Sequence, residues 1–188
     1  MIILGFAGSL RKNSFNRALL REALNQQPEN MQLDIFDLDD IPLYNDDLAM
    51  LQSPSAVQSL REKIRFADGL LIASTEYNYS ISGVLKNAID WASTNTLGNV
   101  LDQKIVAIMG ASNGNFGTTR AQLHLRQVLH AVNARPLSRP EVLVRLAQEH
   151  FDDEGSLTNA YTRKKIGQLL MELKQTVQTQ ETIPGKPI

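Results

Sequence analysis

The chain opens on a continuous apolar run, Met1-Ile-Ile-Leu-Gly-Phe-Ala, which suits a strand buried on both faces. Behind it Phe15, Ala18, Leu19, Ala23 and Leu24 recur at helical spacing, with Ser14 placed to cap the first turn. The alternation then repeats. Met31-Gln-Leu-Asp-Ile-Phe alternates like a strand near a sheet edge, and Val57, Leu60, Ile64 and Ala67 mark a helix over 55–67. Gly69-Leu-Leu-Ile-Ala-Ser is a second buried strand, 84–93 is helical, and Gln103-Lys-Ile-Val-Ala-Ile-Met-Gly is a third buried run. A glycine-rich loop over 110–117 leads into a helix over 120–132, a short strand around 141–144 and a last helix over 159–177. The acidic, proline-containing stretch 37–47 reads as an exposed loop. The polar tail 178–188, with Pro184, Gly185 and Pro187, is expected to fray.

Strands alternating with helices demand crossover connections, hence a parallel sheet with helices on both faces: a doubly wound α/β fold. In such sheets ligands gather outside the carboxyl ends of the strands where the strand order reverses, so the loops after the first, third and fourth strands should converge.

Composition narrows what that site serves. The 188 residues suffice for one well-cored domain, expected over 1–177, and the 43% hydrophobic content is ordinary for a globular protein. Nineteen Lys+Arg against twenty Asp+Glu give a net charge of −1, which argues against nucleic acid or an anionic membrane surface as partner. Any anion site must be local. With no cysteine, thiolate metal sites and Cys nucleophiles are excluded, and His124, His130 and His150 lack metal-ligand spacing. The start has no basic n-region and no apolar stretch nears about 18 residues, so a cytoplasmic chain without a membrane span is expected.

The first loop crowds Ser9, Arg11, Ser14 and Asn16 into eight residues between a strand and a helix start, where free backbone N–H groups and the helix dipole favour an anion. It lacks both the Gly-Lys-Ser/Thr ending of an ATP-type P-loop and the G-x-G-x-x-G fingerprint, so one terminal phosphate fits best. A polar turn with a capped helix is the plain alternative. In the loop after the third strand, Glu76, Tyr77 and Asn78 stand at the switch-point crevice, while Tyr77 and Tyr79 also suit aromatic plugs under a loop. Gly110, Gly114 and Gly117 imitate a dinucleotide turn but follow the fourth strand rather than the first. Such glycines permit close backbone approach to a ligand, with Ser112 offering a hydroxyl, or form only a flexible turn. Trp91 suits a core or a subunit contact.

Three segments together resemble the NAD(P)H-dependent FMN reductases of flavodoxin-like fold, a group that includes bacterial quinone and chromate reductases. They are Gly8-Ser-Leu-Arg-Lys-Asn-Ser-Phe-Asn16, Glu76-Tyr-Asn-Tyr-Ser80 running into Gly83-Val-Leu-Lys-Asn-Ala-Ile-Asp-Trp91, and Gly110-Ala-Ser112 with Gly114, Gly117 and Arg120. The resemblance covers about 1–175. It implies a five-stranded sheet in the order 2-1-3-4-5 and FMN as cofactor. The phosphate would lie at Ser9, Arg11, Ser14 and Asn16, and the ring against Glu76, Tyr77, Asn78, Tyr79 and the loop around Ser112. Phe15 and Gly114 complete the implied contact set. It further implies NADPH or NADH as donor, quinones as favoured acceptors with chromate, azo dyes and free flavin as others, and a homodimer or dimer of dimers with Trp91 near a contact. A flavodoxin-like electron carrier or a non-catalytic FMN-binding domain would share the fold, although carriers are usually markedly acidic. Thr75 and Ser82 stand where this family commonly has prolines, which predicts a looser loop between them.

Overall fold

A computed structural model describes residues 1–181 of the chain. The main sheet is built from β1 (Ile2–Ala7), β2 (Gln32–Ile35), β3 (Gly69–Ala73), β6 (Ile105–Ala111), β7 (Arg135–Pro136) and β8 (Val142–Val144). Every pairing in it is parallel, in the order β2-β1-β3-β6-β7, with β8 also on β6. The helices are α1 (Phe15–Asn25), α2 (Asp46–Leu51), α3 (Ser55–Phe66), α4 (Gly83–Ala92), α5 (Thr119–Ala131) and α6 (Ala160–Glu181).

The period-two geometry of a strand sorts the buried residues onto two faces. Ile3, Leu71, Ala73, Ala107 and Met109 meet α1 and α6 in one core, which includes Leu19, Ala23, Leu169 and Leu173. Their alternates Leu4, Phe6, Leu70, Ile72, Val106 and Ile108 meet α3, α4 and α5 in the other, through Leu60, Ile64, Leu85, Ile89, Leu125 and Leu129. Continuous apolar strands are the consequence of this double coverage.

Four features differ from expectation. The strand expected around 141–144 is present as β8, on Met109, Gly110 and Ala111 at the end of β6, but an unexpected short piece, β7, precedes it on Ile105 and Val106 at the start of β6. Pro136 and Pro140 bring no N–H to a ladder, so an unbroken strand is not available there. A separate antiparallel ribbon, β4 (Glu76–Tyr77) with β5 (Ser80–Ile81), occupies what the pattern gave as plain loop. Inside the acidic stretch, Asn45 caps the short helix α2 by accepting from the Asp47 N–H at 3.0 Å. Residues 178–181, expected in a frayed tail, continue α6, and 182–188 lie outside the described residues.

Trp91 is fully buried within its own chain. Its ring packs with Ala49 and Val57, meets Tyr44 edge-on at 5.0 Å, and its indole N–H donates to the Pro42 carbonyl at 2.8 Å. The apolar stripe of α4 is likewise taken up by its own core, since Leu85, Ala88, Ile89 and Ala92 are all buried. Beside Trp91, Arg61 donates to the carbonyls of Trp91, Leu97 and Gly98, fastening the segment after α4, and burial lowers its pKa from the usual arginine value.

Candidate functional site

The parallel register brings the ends of β1, β3 and β6 level, with Ala7 beside Ala73 and Ala73 beside Met109. The three loops that follow enclose a cleft of about 210 Å³. Ser9, Arg11, Ser14, Phe15 and Asn16 form one wall. Thr75, Glu76 and Tyr77 form the second, and Ala111, Ser112 and Asn113 the third. Eight of the eleven expected residues therefore meet there; Thr75, Ala111 and Asn113 are additions that no side-chain signal marked. Asn78 and Tyr79 stand outside, at the exposed apex of the β4–β5 ribbon, and Gly114 sits behind Ser112.

The first wall gathers hydrogen-bond donors. Ser14 ends its extended conformation by capping α1, its hydroxyl accepting from the amides of Asn16 at 3.2 Å and Arg17 at 3.5 Å. Among the described residues, the amides of Leu10, Arg11, Lys12, Asn13 and Phe15 donate to no other protein group. The Arg11 guanidinium is exposed and makes one long contact, 3.4 Å to the Asn13 carbonyl. Unpaired amides, a helix start and a free cation are the donor set a phosphate monoester needs, so these residues fit the phosphate end of FMN. Arg11→Ala should weaken FMN by about 1.5–3 kcal/mol, roughly 10- to 150-fold. The thermal midpoint of the flavin-free chain should stay where it was, which a titration and a melt on the same sample check.

Asn16 has a different job from the one expected. Its carboxamide accepts from the Ala111 N–H at 2.8 Å and donates to the Ala111 carbonyl at 3.0 Å and to the Thr75 hydroxyl at 3.2 Å. At 2% exposure it is a strut joining all three loops, with neither amide hydrogen left for a phosphate.

Glu76 is also structural in its side chain. One carboxylate oxygen pairs with Arg120 at 2.6 Å, and the other accepts from the Ala121 N–H in the first turn of α5 at 3.1 Å. The Arg120 guanidinium then lies 3.9 Å over the Tyr79 ring and 4.8 Å from that of Phe116. That contact offsets an unfavourable backbone: Asn78 and Tyr79 both have positive φ, 49° and 69°, the requirement of a two-residue hairpin turn. Ser80 and His124 add a 2.7 Å hydrogen bond between ribbon and α5.

Thr75 and Ser82, at the two positions where prolines are common in similar chains, each make a hydrogen bond. Thr75 receives the Asn16 amide, and the Ser82 hydroxyl caps α4 by accepting from the Leu85 N–H at 3.2 Å. Ser82→Ala should cost about 0.5–2 kcal/mol of stability. A urea titration in which it costs nothing would show the cap to be idle.

The third wall is pinned from behind. Ser112 donates its amide to Val144 and accepts at its carbonyl from Ala147, while the Gly114 carbonyl accepts from Leu146. Gly110 and Gly117 serve this packing and not approach to a flat ring. A Cβ on Gly110 would fall 2.1 Å from the Thr118 hydroxyl oxygen, and Gly117, at φ 59°, lies against the backbone of Leu143 and Val144.

A doubly wound sheet with free amides at a helix start and an open cleft at its switch point is the arrangement of a flavodoxin-type nucleotide-binding protein. The chain belongs to the NADPH-dependent FMN reductase family, whose sequence model matches residues 1–149. It is 49% identical over 172 residues to an NAD(P)H-dependent FMN reductase of Pseudomonas aeruginosa, covering 92% of each chain. It is 38% identical over 178 residues to an NADPH:quinone oxidoreductase of Arabidopsis thaliana, covering 92% of this chain and 89% of that one. Among solved structures, FerB, a flavoenzyme NAD(P)H:(acceptor) oxidoreductase of Paracoccus denitrificans, superposes with a TM-score of 0.85 at 30% identity, covering 95% of this chain and 97% of that one. Among the described residues no helix is long and apolar enough to cross a membrane.

Proposed function

We propose that the chain holds FMN in this cleft and uses it to reduce quinones at the expense of NAD(P)H. The observation that carries the reading is the donor set at residues 10–15, at the head of α1 beside an open three-walled cleft. Bound FMN supplies the two-electron redox chemistry, and the protein supplies binding and orientation. The free amides and Arg11 hold the phosphate. The second and third walls, braced by Glu76 on α5 and by Ser112 on β8, present backbone and the Ser112 hydroxyl to the ring. One open face serves donor and acceptor in turn, since each must stack within transfer distance of the ring. That supports loose acceptor choice, with chromate, azo compounds and free flavin as further acceptors.

The experiment combines a spectrum with initial rates. The purified chain should carry about one FMN, anaerobic NADPH should bleach it with no acceptor present, and rates at several fixed quinone concentrations should give parallel lines. Intersecting lines would mean a second pocket, and a colourless chain that neither takes up FMN nor oxidises NAD(P)H would overturn the reading. The working form we propose is a cytoplasmic homodimer or dimer of dimers. Exposed Leu43, Met50 and Leu51 around α2 support it, because together they leave an apolar surface near α4 uncovered. A light-scattering mass of one chain at micromolar concentration would refute the oligomer.

A further inference from the structure

The loop that forms the third wall of the cleft carries the chain's single Asn-Gly pair, Asn113-Gly114. Both residues are exposed, and Asn113 lines the cleft together with Ser9, Arg11 and Ser14. The Asn113 carboxamide makes no hydrogen bond among the described residues. The Gly114 nitrogen donates at 3.1 Å to the Ser112 hydroxyl, a rotatable side chain, and to no helix or sheet carbonyl. The bonds that pin this loop reach the Gly114 carbonyl instead, from the amides of Gly117 at 3.2 Å and Leu146 at 3.3 Å. A glycine nitrogen has no Cβ beside it to keep it from the carboxamide that precedes it. The nearest rival is Asn13, which is also exposed. There the following residue, Ser14, carries a Cβ, caps α1 and donates its amide to the Arg11 carbonyl at 3.1 Å.

We propose that Asn113 is a site of spontaneous deamidation: its carboxamide is lost by attack of the neighbouring Gly114 nitrogen, and a carboxylate takes its place in the cleft wall. The Gly114 nitrogen bonds to the side-chain carbonyl carbon of Asn113, the bond from that carbon to Nδ2 breaks, and ammonia leaves with the Gly114 amide proton. Water then opens the cyclic imide at either carbonyl, giving aspartate or isoaspartate, and nothing is oxidised or reduced. The site stands on residues of the chain alone, while its consequence rests on the flavin reading above. A carboxylate at 113 shares the cleft with Arg11, so it competes for the cation that a phosphate needs and repels the phosphate itself. In isoaspartate the main chain also runs through Cβ, which disturbs the hydrogen bond between Gly114 and Ser112.

The test has two arms. In the first, the flavin-free chain is held at mildly alkaline pH, which favours loss of the amide proton, and is then mapped by peptide mass spectrometry with an isoaspartate assay. Acid should accumulate at Asn113 ahead of every other asparagine, and Gly114→Ala should abolish most of it. The added Cβ would meet only the Ser112 hydroxyl oxygen, at 3.6 Å, and the backbone there has no positive φ. Asn113 left intact while a short peptide of the same sequence converts, earlier conversion at Asn13, or equal conversion in Gly114→Ala overturns the site. In the second arm, calorimetric titration, Asn113→Asp should bind FMN roughly fivefold or more weakly than the unmodified chain, with a smaller loss for riboflavin, which lacks the phosphate. Unchanged FMN affinity, or equal losses for both flavins, overturns the consequence. An unmodified chain that binds no FMN overturns the flavin reading and leaves the first arm standing.

Discussion

Asn16→Leu is expected to damage both the flavin-free fold and the site. The leucine leaves the N–H and C=O of Ala111 buried without partners, at about 1–3 kcal/mol each, for a total of about 2–6 kcal/mol. In a chain of this length that lowers the thermal midpoint by roughly 5–20 °C. FMN affinity should fall with it, because the strut sets the spacing between the loop proposed to hold the phosphate and the loops proposed to face the ring. Asn16→Asp keeps the acceptor for the Ala111 N–H but turns a carboxylate toward the Ala111 carbonyl, so rescue should be slight. The contrast with Arg11→Ala is diagnostic: loss of a phosphate ligand changes affinity and not the melt, whereas loss of the strut changes both. An Asn16→Leu chain with an unaltered midpoint would remove the strut from the account of this site.

The second large effect is expected at Gly110→Ala. The added methyl would meet the Thr118 hydroxyl oxygen at 2.1 Å and the Ser74 carbonyl oxygen at 2.6 Å, and the latter is backbone with nowhere to turn. Overpacking of this severity should cost at least about 3 kcal/mol. The strain falls between β3 and the head of α5, so the second and third walls should separate and flavin binding weaken with stability. Adding Thr118→Ala relieves the first clash and leaves the second. The double variant should therefore recover part of the loss in a denaturant titration, and full recovery would mean that Ser74 yields more easily than a strand end should.

Much of this architecture was legible because it depends on local periodicity. Runs such as Gly69-Leu-Leu-Ile-Ala are buried on both faces, and 3.6-residue spacing marks α1, α3, α5 and α6 to within a residue or two, apart from the last turn of α6. The first wall of the cleft was legible for the same reason, since Ser14 as a helix cap and Arg11 beside it are near neighbours in the chain. The ribbon at 76–81 was not. Its two-residue turn uses Asn and Tyr at positive φ without glycine, and it is held by Arg120, 41 residues beyond Tyr79 in the chain. The extra piece β7 was not legible either, because it turned on which half of β6 Arg135 and Pro136 could reach in three dimensions.

The chain's local pattern was enough for the fold class and for the convergence of three loops, because each follows from burial pattern or from groups adjacent in the chain. What individual polar side chains do there depends on contacts made after folding. Asn16 could satisfy a phosphate or a backbone, and Glu76 a ring edge or a helix start. Each side chain went to the partner it met at hydrogen-bonding distance once the strands were in register. Partners 44 to 95 residues away along the chain leave no trace in local pattern, yet a buried amide or carboxylate without one would cost more than the contact contributes.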